Sequence, residues 1–73
     1  MGKIQHVVAH GEGWALQVEG APAPSALFKT QSAAWEKAKA VARKERSEAL
    51  LHGKDGQIRE RSAYAANPRR RKG

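Results

Sequence analysis

The chain has 73 residues, no cysteine, and a formal net charge of +7 from 14 Lys and Arg against 7 Asp and Glu. A chain of that length forms one domain, and because a core of this size supplies only about 3 to 5 kcal/mol, packing, a partner or oligomerisation must hold it together, with disulfides and thiolate zinc sites excluded. The start MGKIQHVV has no apolar run of signal-peptide length, and no stretch approaches the roughly 20 apolar residues of a membrane span. These features lead us to expect a soluble cytoplasmic protein with no membrane partner.

In chain order, Lys3 to His10 carries the β-branched residues Ile4, Val7 and Val8 and reads as a strand. Trp14 to Glu19 alternates, with Trp14, Leu16 and Val18 on one face and Ala15, Gln17 and Glu19 on the other, which is the signature of a half-buried strand. The intervening HGEG supplies glycines able to take positive φ, so the two strands are expected to form a hairpin. GAPAPS then breaks the pattern, since Pro22 and Pro24 cannot donate to a ladder, and a short edge strand is expected at Ala26 to Lys29.

From Gln31 to about Arg46 the period changes. Ala34, Trp35, Ala38, Val41 and Ala42 fall on one helical stripe, and alanine favours helix intrinsically. Thr30 stands where an N-cap is needed, although Ala33 leaves the capping box incomplete. The stripe of small residues is expected to lie close against a sheet, with Lys37, Lys39, Arg43 and Lys44 on the helix's other side.

EALLHGKDGQIRERSAY reads as a second hairpin. Asp55-Gly56 fits either a two-residue loop, which sets Gly53 opposite Ile58, or a three-residue loop with Gly56 as the left-handed residue, which sets His52 opposite Ile58. The second is preferred, with Leu50 and Ile58 inward and Arg59 and Arg61 outward. The expected fold is therefore α+β, with two antiparallel hairpins flanking a single amphipathic helix on one sheet face (β-β-(β)-α-β-β). Residues 1–66 form the domain and residues 67–73 a basic, disordered tail. The uncovered sheet face is expected to carry Val7, Ala9, Ala15 and Leu51.

HVVAHGEGWALQVEG, TQSAAWEKAKAVA and LLHGKDGQIRERSAYAANP together resemble a family of short bacterial proteins known only as a domain of unknown function, with a pattern like hVvp-gWaVk-eG, an alanine-spaced helix after a threonine, and hG-dG-I-e--sYg-dP. The matching positions are His6, Val8, His10, Trp14, Gly20, Thr30, Ala34, Ala38, Ala42, His52, Gly53, Asp55, Gly56, Ile58 and Tyr64. Ala65 and Asn67 depart from the Gly and Asp usual in that pattern. The resemblance implies one folded unit and a prokaryotic origin, and brings no activity.

Function then has to be argued from chemistry. More than half of the charge excess sits in Arg69, Arg70, Arg71 and Lys72, and a basic chain attracts polyanions through counterion release. With Lys37, Lys39, Arg43 and Lys44 of the helix and Arg59 and Arg61 of the second hairpin, these residues form the candidate nucleic-acid surface. No helix-turn-helix or other named reader accompanies them, so the expected binding is nonspecific. The alternative is a protein-interaction module that pairs with a second copy or a partner through the uncovered sheet face.

Catalysis is not expected. No serine has a base at a recognisable spacing, and GEG is too short for a dinucleotide fingerprint. His6 and His10 lie four residues apart on a strand, about 13 Å at the usual rise, too far to share a metal. His52 is free to approach His6 across the sheet, yet no third ligand type accompanies them, so the histidines read as structural or surface groups, with no metal and no cofactor. Trp14 and Trp35 belong to apolar stripes and read as core. Tyr64 either closes the core or lies beside the tail.

Overall fold

His10 pairs with Gly13, so the first turn is only Gly11 and Glu12, with Gly11 at φ 59°, the positive-φ first position that suits a tight hairpin. That turn sets every partner behind it. In a computed structural model that describes residues 3–64, it joins strands β1 (Gln5–His10) and β2 (Gly13–Val18), followed by β3 (Ala26–Phe28), helix α1 (Gln31–Glu45), β4 (Glu48–His52) and β5 (Ile58–Ala63). The expected disordered tail at 67–73, with its four cations, lies outside the described residues.

The strands form one sheet in the order β3-β2-β1-β4-β5, α+β as expected. Its two antiparallel hairpins meet through a parallel pairing of β1 with β4, in which Gln5, His6 and Val7 stand beside Ala49, Leu50 and Leu51. α1 lies on one face. It begins where Thr30, in extended conformation, accepts a hydrogen bond from the Ala33 amide at 3.1 Å, satisfying one of the otherwise unpaired amides of the first turn. Ala34, Ala38 and Ala42 are fully buried, and with no side chain beyond Cβ they let the helix sit low over Val7, Leu16, Ala49 and Leu51. Trp14 and Trp35 fill the remaining volume, with Phe28 and Tyr64 against them.

Two expected faces are reversed. Val7 pairs with Leu16 and Ala9 with Trp14, so both point toward the helix side, and Leu51 joins the core beneath the helix; Ala15 lies on the uncovered face as expected, with Val8 beside it in place of Val7 and Ala9. The second hairpin does use a three-residue loop, Lys54 to Gly56, with Gly56 at φ 87°, a Gly53–Gln57 backbone bond of 2.8 Å and His52 opposite Ile58. Leu50 and Ile58, however, share the face away from the helix. Leu50 stands beside His6 and opposite Arg61, and Ile58 is 55 % exposed. The reason is the parallel β1–β4 register, which sets Leu51 beside Val7 and so turns Leu50 to the far side.

Ala38→Asp places a carboxylate at a fully buried site, a charge with no partner in an apolar contact, and is expected to cost more than about 4 kcal/mol, enough to unfold a domain this small. Ala40→Glu, on the exposed helix face, should stay within about 0.5 kcal/mol of the parent. Thermal unfolding followed by circular dichroism checks both, and an unchanged transition for Ala38→Asp would mean that another helix face meets the sheet.

Candidate functional site

The candidate cations do not form one patch. Lys37 lines a shallow hollow beside β2 and β3, together with Lys3, Val18 and Val41. Lys39 sits on the opposite flank, 3.3 Å from Glu36 and over the ring of Trp35 at 5.4 Å. Arg43 follows it one turn on, its guanidinium 5.6 Å from the ring centre of Tyr64, while Lys44 is exposed. Arg59 lies at the far hairpin, 3.9 Å from Asp55, and Arg61 is exposed on the uncovered face opposite Leu50. Arg69, Arg70, Arg71 and Lys72 lie outside the described residues.

What the fold does gather is one end of the molecule. The last turn of α1, the starts of β1 and β4 and the end of β5 all meet there. The Ser47 amide donates to Ala42 at 2.9 Å, the Tyr64 amide donates to the Ser47 carbonyl at 2.8 Å, and the Ser47 hydroxyl donates to the Lys3 carbonyl at 3.0 Å. Buried Gln5 adds a bond from its side-chain amide to the same carbonyl at 3.1 Å. Around this knot stand Lys3, Arg43, Lys44 and Arg46, all exposed, with Glu45 and Glu48 nearby. None of the four cations is in an ion pair among the described residues. Lys3 and Arg46 escape sequence reasoning because they are 43 positions apart; only the pairing of β1 with β4 brings them to the same end.

Arg46 is also the one residue other than glycine with positive φ among the described residues, at φ 56° and ψ 49°. It occupies the left-handed position that ends α1, where its amide and that of Ser47 satisfy carbonyls of the last turn. Glycine usually fills that position, because a Cβ there costs about 1 to 2 kcal/mol.

A second constellation lies on the uncovered face. His6 Nδ1 and His52 Nε2 are 3.1 Å apart, the other ring nitrogen of His6 meets the carboxylate of Glu19, and the other ring nitrogen of His52 meets the Gly56 carbonyl at 3.3 Å. His6 is placed by its neighbour Leu50 on β4, and His52 by the three-residue loop that presents Gly56. Among the described residues no group of three or more His, Cys, Asp or Glu is arranged to hold a metal ion, and no helix is long and apolar enough to cross a membrane.

Residues 5–64 match the model of the bacterial family described as "Uncharacterized protein conserved in bacteria (DUF2188)", and the chain belongs to that family. It is similar to the "Uncharacterized protein YdaT" of Bacillus subtilis (strain 168), with 38 % identity over 58 residues, covering 80 % of this chain and 39 % of the relative. The chain thus spans about two-fifths of the length of that relative. No solved structure matches it.

Proposed function

We propose that this family member is a nonenzymatic, basic accessory protein that binds nucleic acid without sequence choice, through the cationic end of the fold and the basic stretch that follows it. One observation carries the reading: Lys3, Arg43, Lys44 and Arg46 surround the point at which the chain leaves β5 beside Tyr64, and the next cations along it are Arg69, Arg70, Arg71 and Lys72. Phosphate contacts of this kind need cations and reach, not a shaped pocket.

Arg46 lends support from energetics. Arg43 and Lys44 are explained in part by the negative end of the helix, which favours cations by about 0.3 to 1 kcal/mol each. A left-handed backbone works the other way on Arg46, and strain held at one residue points to use. Arg59 and Arg61 are peripheral in this reading, since Arg59 stands at the far hairpin beside Asp55 and Arg61 on the uncovered sheet face opposite Leu50.

If the four tail cations each neutralise a phosphate, deleting residues 69–73 should flatten the slope of log K against log salt on duplex DNA by about 3 to 4 units. Replacing Lys3, Arg43, Lys44 and Arg46 with Gln in the full chain should remove a similar amount, about 3 to 4 units, whereas Gln at Arg59 and Arg61 should leave most of the slope. Arg46→Gly separates use from packing: it should raise stability by about 1 kcal/mol and still weaken binding. Absence of salt-dependent binding by the full chain to duplex or single strands at low salt would refute the reading.

A second reading, a protein-interaction module, is favoured by the uncovered sheet face. Leu27, Ala15 and Val8 are direct neighbours across three strands, and Leu27 is 62 % and Ile58 55 % exposed at opposite edges of the same face. Sedimentation equilibrium should then show a dimer that Leu27→Ser with Ile58→Ser dissociates; a monomer at all concentrations removes self-association.

A further inference from the structure

We propose that His6 and His52 form a two-histidine site for a divalent transition-metal ion of the imidazole-preferring class, Zn²⁺, Ni²⁺ or Cu²⁺. His6 Nδ1 and His52 Nε2 stand 3.1 Å apart, the other nitrogen of His6 meets the Glu19 carboxylate, and the other nitrogen of His52 meets the Gly56 carbonyl, which can only accept.

Metal-binding histidines donate their other ring N–H to a carboxylate or backbone carbonyl, which fixes the tautomer and raises the basicity of the ligating nitrogen. Both rings here have such a partner, Glu19 for His6 and Gly56 for His52, and both turn the remaining nitrogen toward the same point. At a metal–nitrogen distance of about 2.0 to 2.1 Å, two cis ligands stand about 2.9 to 3.4 Å apart between square and tetrahedral angles, and the observed 3.1 Å falls within that range. The ring centroids are 5.3 Å apart and the planes are tilted by 34°, so the rings point nearly head-on; a partial turn within the broad χ2 well of histidine brings both lone pairs onto one ion.

The ligand set decides the class. Two imidazoles suit Zn²⁺, Ni²⁺ and Cu²⁺ and not Mg²⁺ or Ca²⁺, which take oxygen ligands. With two protein ligands the remaining positions belong to water, so the site exchanges its ion readily and opens onto the same uncovered face as Leu50 and Ile58. In the bound form His6 keeps its hydrogen toward Glu19 and His52 keeps its hydrogen toward Gly56, which leaves His6 Nδ1 and His52 Nε2 as the ligating nitrogens.

The test uses the untagged full chain titrated with Zn²⁺ and, separately, Ni²⁺. The expected result is saturation at one ion per chain and movement of the His6 Nδ1 and His52 Nε2 signals in histidine ring NMR with Zn²⁺. Competition with a chromophoric chelator should show His6→Gln and His52→Gln each weakened on the order of tenfold or more, and Glu19→Gln weakened by about tenfold through loss of the orienting carboxylate. His10→Gln, exposed on the same face, should bind as the parent. Failure to saturate, equal weakening by His10→Gln, or parent-like binding by His6→Gln or His52→Gln would each overturn the proposal. Should either variant fail to fold, the ring signals of the parent chain decide.

Discussion

The parallel pairing of β1 with β4 is the contact on which the remaining features rest. Three residue pairs join two hairpins that are each incomplete alone, since an isolated two-stranded hairpin is marginal in water. Setting Val7 beside Leu51 and Gln5 beside Ala49 closes the floor of the core beneath α1. The same register draws His6 toward His52 across 46 positions of sequence, and brings the start of β1 to the end where α1 stops and β5 finishes. A slip by one residue would exchange the faces of β4 and undo all three.

Above that floor the helix is held by proximity more than by bulk. Alanines bury little area each, so their contribution is geometric: they bring the helix backbone low enough for Trp14 and Trp35 to close the sides. Interiors pack at close to crystal density, and a domain with so few large side chains has no slack with which to absorb an added group. The cost appears on the other face, where one helix cannot reach. Leu27 and Ile58 stay in solvent, and a half-buried chain of polar contacts, Glu19, His6 and His52, crosses β2, β1 and β4 where a second layer would otherwise lie.

Much of this was legible in the sequence wherever one period dominated. The helix, its Thr30 cap, the alternation of Trp14, Leu16 and Val18, and the Gly56 loop follow from local rules that the tertiary structure does not override. The faces of β1 and β4 were not legible, because Val7 and Val8 are both apolar, as are Leu50 and Leu51, and adjacent apolar residues cancel the period-2 signal. Only turn length and the parallel partner decide such strands. Parallel pairing itself leaves no local trace, since its partners lie more than 40 residues apart. For the candidate site, residue types were visible and their grouping was not: the helix cations fall on two flanks, and Lys3 and Arg46 gain meaning only from the end they share.

The cationic end and the histidine pair are separated along the sheet, and the separation carries a physical consequence. Lys3, Arg43, Lys44 and Arg46 crowd the helix terminus, whereas His52 is anchored by the hairpin loop at the opposite end of β4 and His6 leans toward it. Divalent charge added at the histidines would be partly screened before it reached the arginines, given a Debye length of about 8 Å at physiological ionic strength. Glu19 stands at the start of β1, where its amide donates to the Ile4 carbonyl at 2.8 Å, and its side chain, 56 % accessible, reaches from there to His6. Lys3, Arg43, Lys44 and Arg46 outnumber Glu45 and Glu48 beside them, so the folded surface keeps a positive field of its own, to which the four cations of residues 69–72 add theirs with no acid among them.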